Sequence, residues 1–360
     1  MGRAVGIKEV AVAAGVSTTT VSHALSGKGR LPESTRERVR QIAADLGYRP
    51  SAAARSLASG RTGIIAMTVS GSEDFTVQVG DLDYFLQVIN AATSTALERD
   101  YAVTLLPAHW SPETLARVPL DGGIVIDPVR NDPMVQALNG RALPVVTLGR
   151  QPDGPDDAPW VDNDHRAGAR TMLDHLVESG ATRVALLAAQ MVSSYEADTL
   201  KAYTQWCTRH GVKPCVAQVQ GGLSERAAYA ETVKLLQGPT PPDAIYATLD
   251  RLALGALLGA EAQGLRVPDD VRIGACSESD ESRRSRPALT ALRLNPELLA
   301  AEAIDLLIDL IEGRPTSRQR VVPSVLIPRR STVAGRQRVR RTVIAGDGAV
   351  SSAQTGAARV

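Results

Sequence analysis

From Ser17 to His23 the chain reads Ser-Thr-Thr-Thr-Val-Ser-His, which crowds short hydroxyls and an imidazole into one segment. Such groups can hydrogen-bond base edges or phosphates, and a threonine methyl can pack against thymine. Read as a helix, the segment takes Ser17 as its N-cap and buries Val21 and Leu25. Thr18, Thr19, Ser22 and His23 then stay exposed near its start. The expectation is that Thr18, Thr19 and His23 contact bases, while Lys8, Arg30 and Arg55 meet phosphate or sugar. For this segment alone the alternative is an ordinary amphipathic helix whose threonines cap and face water.

Other reactive residue types make no comparable pattern. Asp162, Asp164 and His165 have the side chains of metal ligands, but helix capping also accounts for them. His109, His175 and His210 have no nucleophile at a recognisable spacing. No Gly-x-Ser-x-Gly, phosphate-loop or dinucleotide fingerprint occurs. Cys207, Cys215 and Cys276 are odd in number and lack a Cys-x-x-Cys spacing. They read as reduced thiols packed as small apolar side chains. No cofactor or metal is expected, and Ser193-Ser194-Tyr195-Glu196 reads as a loop.

The elements that must position these groups come in two styles. Before residue 50 the pattern gives three short helices. The first covers 7–14 and is stopped by Gly15, the second covers 18–25, and the third runs from about 33 to 46 with Val39, Ile42, Ala43 and Leu46 as its stripe. A fourth segment, 51–59, is capped by Ser51 and too short to be a stable helix alone; it reads as a hinge that folds when held. From Ile64 onward strand-like runs alternate with helices, which means parallel sheets covered on both faces. Eight such runs suit two sheets with a cleft between them. The fold class is therefore α/β: a helix-turn-helix head (1–50), a hinge helix (51–62), a two-lobed core (63–332) and a disordered basic tail (333–360).

Charge follows the same division. Residues 1–62 hold ten Lys/Arg against four Asp/Glu, and residues 331–360 hold five against one, within a chain whose net charge is only +1. A basic head on an acidic body suits a head that meets a polyanion. At 360 residues, 44% hydrophobic and 22% charged, the chain has ample material for folded domains, and global disorder is excluded. No apolar run suits a signal peptide or a membrane span, so the protein reads as soluble and cytoplasmic.

The head resembles that of the lactose/galactose repressor family of transcriptional regulators. The likeness rests on Ile7-Lys-Glu-Val-Ala-Val-Ala-Ala-Gly-Val-Ser-Thr-Thr-Thr-Val-Ser-His, on Thr35-Arg-Glu-Arg-Val, on Leu46-Gly-Tyr-Arg-Pro and on Ala54-Arg-Ser-Leu-Ala-Ser-Gly-Arg-Thr. The recognition helix is most similar to that of purine repressors. Similarity continues through Asp121-Gly-Gly-Ile-Val-Ile, Val161-Asp-Asn-Asp-His-Arg-Ala-Gly-Ala, Asp250-Arg-Leu-Ala-Leu-Gly-Ala, Gly264-Leu-Arg-Val-Pro-Asp-Asp-Val and Pro287-Ala-Leu-Thr-Ala-Leu. The resemblance implies a homodimer on a palindromic double-stranded operator, with a core like periplasmic sugar-binding proteins. It also implies that Leu57 wedges into the minor groove at the operator centre, where wedges kink the duplex.

For the cleft, the resemblance places Tyr84 and Phe85 where the family sets aromatic residues; plain core packing is the alternative for both. Thr199 falls where sugar-sensing members carry an arginine, and Leu223 where they carry a tryptophan or phenylalanine. Leu249 stands in place of the Asn or Ser before Asp250, and Cys276 in place of an Asp. A pocket without charged, forked partners suits a sugar poorly, because sugar hydroxyls lose water on entry. A less polar metabolite, or none, is expected, and a simple sugar is not.

The sequence thus reads as a DNA-binding repressor modulated by a small molecule. The alternatives are a regulator with a ligand-blind core, a cytoplasmic solute-binding protein, or an enzyme on a two-lobed body. The basic head and the missing signal peptide argue against the solute-binding role, and the missing catalytic constellation against the enzyme.

Overall fold

A computed structural model describes residues 5–26, 29–48, 60–70, 82–107, 112–189, 193–220, 224–333 and 342–343. The chain divides into two compact units, Met1–Ile64 with Pro119–Asp121, and the remainder.

In the first unit α1 (Ile7–Ala14) ends at Gly15, whose φ of 63° is the left-handed conformation that a glycine adopts without strain. The Ser17 Oγ accepts the Thr20 N–H at 3.0 Å and so caps α2 (Thr18–Ser26). Helix α3 (Glu33–Asp45) completes a small core of Val10, Ala11, Ala14, Val21, Ala24, Val39 and Ala43. The expected apolar faces are the buried ones. Arg36 on α3 is also buried: it donates to the His23 carbonyl at 3.1 Å and to the Gly29 carbonyl at 3.4 Å, tying the end of α2 to α3. The hinge segment 51–59 lies outside the described residues.

The second unit holds two sheets, as expected, but more strands than the eight read from sequence. Before the first crossover the strands are β1 (Ile64–Val69), β2 (Ala102–Leu105), β3 (Gly122–Ile126), β4 (Val145–Leu148) and β5 (Trp160–Asn163). Their helices are α4 (Leu82–Glu98), α5 (Pro112–Ala116) and α6 (Pro133–Asn139). Then follow α7 (His165–Glu178), β6 (Val184–Ala189), α8 (Ser194–His210), β7 (Val216–Val219), α9 (Glu225–Leu236), β8 (Ala244–Ala247), α10 (Asp250–Ala262), β9 (Arg272–Ala275), α11 (Asp280–Arg284) and β10 (Thr290–Arg293). The chain returns through α12 (Pro296–Glu312) and β11 (Gln319–Val322) and ends in β12 (Val325–Ile327) and β13 (Thr342–Val343).

The first sheet has the order β11-β5-β4-β3-β1-β2, and the second β13-β12-β10-β9-β8-β6-β7. Pairings are parallel through the middle of both, whereas β12 runs antiparallel to β10 and β13. The strands missed in sequence (β5, β10, β11, β12 and β13) are two to four residues long, and the first three carry polar side chains, so no apolar run marks them. In the second sheet Leu186 faces α7 and α8 while Leu187 faces α9 and α10, the alternation that buries both faces. Gly255 lets α10 approach α9, since a Cβ there would lie 2.4 Å from the Glu225 carbonyl.

Two expectations are corrected. Ser193–Glu196 is not a loop: Ser193 caps α8 through the Glu196 N–H, and Ser194 begins the helix. Within the expected structureless tail, Thr342–Val343 pairs with β12, because β12 otherwise leaves an edge open. The rest of 334–360 lies outside the described residues.

Three crossovers join the lobes: β5 to α7, β10 to α12, and β11 to β12. The Asn163 amide, in the first, donates to the Leu294 carbonyl of the second at 3.1 Å and to the Val322 carbonyl of the third at 2.8 Å. Asn295 donates to the Pro323 carbonyl at 2.8 Å. Two asparagines thus stitch the hinge.

Candidate nucleic-acid interface and ligand cleft

In the head, α2 presents Thr18, Thr19 and His23 to solvent, with Ser22 half-buried. Ser17 is exposed but committed to its cap, where its Oγ also lies 2.9 Å from the Thr20 hydroxyl. Lys8 and Arg30 are exposed as well. Lys8, Val16, Ser17 and Thr18 line one shallow groove where α1 meets the start of α2. The His23 ring packs close to Gly29, whose own Cβ position would lie 2.6 Å from Nδ1. Arg55 and Leu57 lie outside the described residues.

In the core, the carboxyl ends of the strands from both lobes converge on a cavity of about 510 Å³. Such a crevice is where ligands of open parallel sheets sit. Tyr84 and Phe85 line it from the start of α4, their rings edge to face at 5.6 Å. Leu249 and Asp250 enter from the β8–α10 turn, and Cys276 follows β9. Asp250 accepts from the Ser277 hydroxyl at 3.0 Å. Thr199 is fully buried, and its hydroxyl has no partner; it sits one turn beyond Tyr195 on α8, beneath the wall and not on it. Leu223 lies outside the described residues.

The expected shortage of charged partners is overturned. Asp127, Asp162, His165, Glu278, Arg283 and Arg293 all line the cavity. Asp127, Asp162 and Arg293 stand at strand ends, His165 opens α7, Arg283 lies on α11 and Glu278 just before it, and none of these is a position aligned in sequence with a sugar-binding residue. Asp127 follows the apolar run of β3, and a polar residue just past a buried strand is the signal that could have found it.

The electrostatics are built from pairs. His165 Nε2 lies 3.0 Å from Asp162 Oδ1. Burial alone would drive this imidazole down, but the adjacent Asp162 carboxylate outweighs it and pushes His165 up to about 10. Burial would raise Asp162, yet His165 and Arg150 hold it below the usual carboxylate range. Arg150 donates to Asp162 at 3.0 Å and also bonds Asp198 on α8. Glu278 pairs with Arg293 at 2.6 Å and with Arg329, which offset its burial and keep its pKa low. Burial pushes Glu196, behind Thr248, up to about 7 despite the bond from the Thr248 hydroxyl at 2.7 Å. Burial and then the Asp127 and Asp162 charges raise the Tyr84 phenol beyond its ordinary range. Among the described residues no cluster of three or more His, Cys, Asp or Glu is placed to hold a metal ion. None of their helices is long and apolar enough to cross a membrane.

Residues 6–51 match the bacterial regulatory proteins of the lacI family, and residues 173–332 match the periplasmic binding protein-like domain. The chain thus carries a LacI-family regulatory head and a periplasmic binding protein-like domain. It is similar to the HTH-type transcriptional regulator CelR of Thermobifida fusca, 28% identical over 324 residues that span 88% of this chain and 94% of CelR. The repressor PurR of Escherichia coli is 28% identical over 339 residues, 91% of this chain and 97% of PurR. Among solved structures, a lac repressor dimer bound to operator and the anti-inducer ONPF superposes with a TM-score of 0.71 at 25% identity, covering 92% of this chain and all of that one (100%). A CelR–cellobiose complex gives 0.67 at 26%, covering 91% and 99%. The chain is a DNA-binding transcriptional regulator and not an enzyme.

Proposed function

We propose that this regulator is a cytoplasmic homodimeric repressor that reads a palindromic operator through Thr18, Thr19 and His23, and that a small molecule in the inter-lobe cleft controls it. The observation that carries the reading is the pairing of one exposed hydroxyl-rich helix, capped by Ser17, with a cavity walled by Tyr84, Phe85 and charged side chains. A two-fold dimer places two such helices on two half-sites, which is why the operator is palindromic. Arg55 and Leu57 belong to the hinge reading and would meet phosphate and the central step.

The effector is a small molecule with one apolar face, to stack on Tyr84 and Phe85, and a polar edge, to meet Asp127, Arg283 or Arg293. The exclusion of simple sugars loses its physical basis with those charges in the wall, and the cellobiose held by the similar CelR structure favours a sugar as the second reading.

The test is direct. Operator fragments selected from random DNA by the purified protein should be palindromic, and their binding should saturate at one dimer per site. A screen of sugars, nucleobases and apolar metabolites should yield one that both raises the melting point and shifts operator affinity. Selection of no preferred sequence would sink the first part, and a screen in which melting shifts leave operator affinity unmoved would sink the second.

A further inference from the structure

Three guanidinium groups close on one carboxylate in the wall of the cleft. Glu278 Oε1 accepts from Arg293 Nε at 2.6 Å, and Arg283 Nη1 lies 3.9 Å from the same oxygen. Arg329 takes the other oxygen. Arg329 also donates to the Leu289 carbonyl at 2.7 Å and is only 14% exposed, so its place is structural. Arg283 has two further, more exposed carboxylates: it bonds Asp280 and lies 3.9 Å from Asp83. Arg293 has no such relief. Among the described residues Glu278 is the one acid paired with it, and its two Nη groups make no hydrogen bond. It is 43% exposed and lines the cavity at the end of β10. A cation pressed against two others, with its fork unfilled, lacks an anion.

The acids of the wall do not invite a cation in the same way. Asp162 is bound by Arg150 and by His165, both at 3.0 Å. Asp250 accepts from the Ser277 hydroxyl, and Asp127 is likewise engaged. Glu297 is exposed at the start of α12, where an ion pair in water is worth little. The unfilled valence of the cavity is therefore positive. A planar carboxylate matches the end of a guanidinium, since its two oxygens accept two parallel N–H bonds. Around the arginines the wall is apolar. Asp83, beside Arg283, leads directly into Tyr84 and Phe85, and Leu294 and Leu299 line the cavity after Arg293.

We propose that the cleft binds a small organic carboxylate with an apolar body, its two oxygens received by the Nη groups of Arg293 beside Arg283 and its body lying on Tyr84 and Phe85. Glu278 is the positioning residue, because its hold on Nε leaves the Nη end of Arg293 for the ligand. Arg293 also precedes Leu294, whose carbonyl takes the Asn163 hinge bond at 3.1 Å, so the captured anion sits against a crossover between the lobes. The inference narrows the effector of the proposed repressor. Any effect on DNA rests on that reading; the binding of acids does not.

The experiment titrates the full-length protein by calorimetry with trans-cinnamate, with its neutral amide cinnamamide, and with phenyl phosphate. Cinnamate should bind tighter than cinnamamide by about tenfold or more, the range of a hydrogen bond to a charged group. Arg293→Gln should erase that difference by weakening the acid and sparing the amide. Arg293→Lys, which keeps the charge and loses the fork, should restore only part of it. Equal affinities for acid and amide, binding of neither at millimolar concentration, or an acid preference that survives Arg293→Gln overturns the proposal. Phenyl phosphate binding tighter than cinnamate overturns the carboxylate as the class. If Arg293→Gln does not fold, Arg283→Gln should lower the acid preference in the same direction, and an unchanged preference there counts against the site. Operator affinity with and without cinnamate is the separate arm. Cinnamate that binds through Arg293 and leaves operator affinity unmoved upholds the anion site and counts against the cleft as the control site.

Discussion

Arg150 leaves the end of β4 in the first lobe, and its guanidinium is shared between Asp162 of that lobe and Asp198 on α8 of the other. Its backbone N–H adds a bond to the Ser194 hydroxyl, also on α8, at 3.2 Å. Asp198 is further held by Arg166 at 2.7 Å. The lobes are therefore latched by charge beside the cavity. At the cavity mouth Arg283 of α11 lies 3.9 Å from Asp83 of α4, a second pair across the same gap.

Arg150→Ala should lower stability by about 1.5–3 kcal/mol, the range for hydrogen bonds to charged groups. The lower half of that range is expected, because the guanidinium is 32% exposed and partly screened. A double-mutant cycle with Asp198→Asn, read by urea unfolding, should show clear coupling. Small-angle scattering should show a wider spread of lobe separations. Additive losses in the cycle would mean that the latch carries no energy.

The cleft also sets a pH response. Glu196 is raised from 4.5 to about 7, so between those values the folded state holds a proton that the unfolded state lacks. Its contribution is complete below 4.5 and is lost as pH rises towards 7. His165, raised from 6.5 to about 10, acts likewise in a later window: its contribution is complete below 6.5 and is lost on going to 10. Asp162, lowered, works the other way and loses its contribution as pH falls below 3.8. Denaturant midpoints across pH should therefore fall from both Glu196 and His165 in turn. Glu196→Gln should flatten the 4.5–7 window and spare the later one; an unchanged slope there would assign it to another group.

The hinge gives a sharper substitution. Asn163→Ala removes the donor from the Leu294 and Val322 carbonyls, and each buried acceptor left unpaired costs about 1–3 kcal/mol. Asn163→Asp should be worse still, since it sets an acceptor against two acceptors. Thermal melts of the two variants should rank in that order. If both melt with the unaltered protein, the crossovers are held by something other than this amide.

Much of this was legible from residue patterns, because burial imposes periodicity. Val10, Ala11 and Ala14, or Ile64 to Val69, show their partners' faces in their spacing. β5 was not legible: Asp162 and Asn163 make it polar, and they are buried for the pairs and hinge bonds they form, not for hydrophobicity. The cleft followed the same rule. The family resemblance, and not their spacing, set Tyr84 and Phe85 on it, whereas Arg283 and Arg293 come to the cavity through tertiary folding that no local spacing reports. Arg36 is the counterpart in the head. Within a charged helix it reads as one more surface cation, yet it is 9% exposed and closes the α2–α3 corner.

The last prediction separates reading from holding in the DNA interface. Thr19 is exposed on α2 and has no structural duty in the head core, so Thr19→Ala should leave folding alone. It should cost about 1–3 kcal/mol at one base pair and relax the preference there. Lys8 is a point charge beside the groove, so Lys8→Ala should weaken all sequences alike and reduce the salt slope by about one. His23 is a less clean probe, because its ring also packs on Gly29 and its loss disturbs that corner. The measurement is competition binding over a library randomised at the half-site, repeated at several salt concentrations. A changed salt slope with unchanged base preference in Thr19→Ala would mean that α2 turns another face to the groove, with Ser22 or Thr18 taking the base edge.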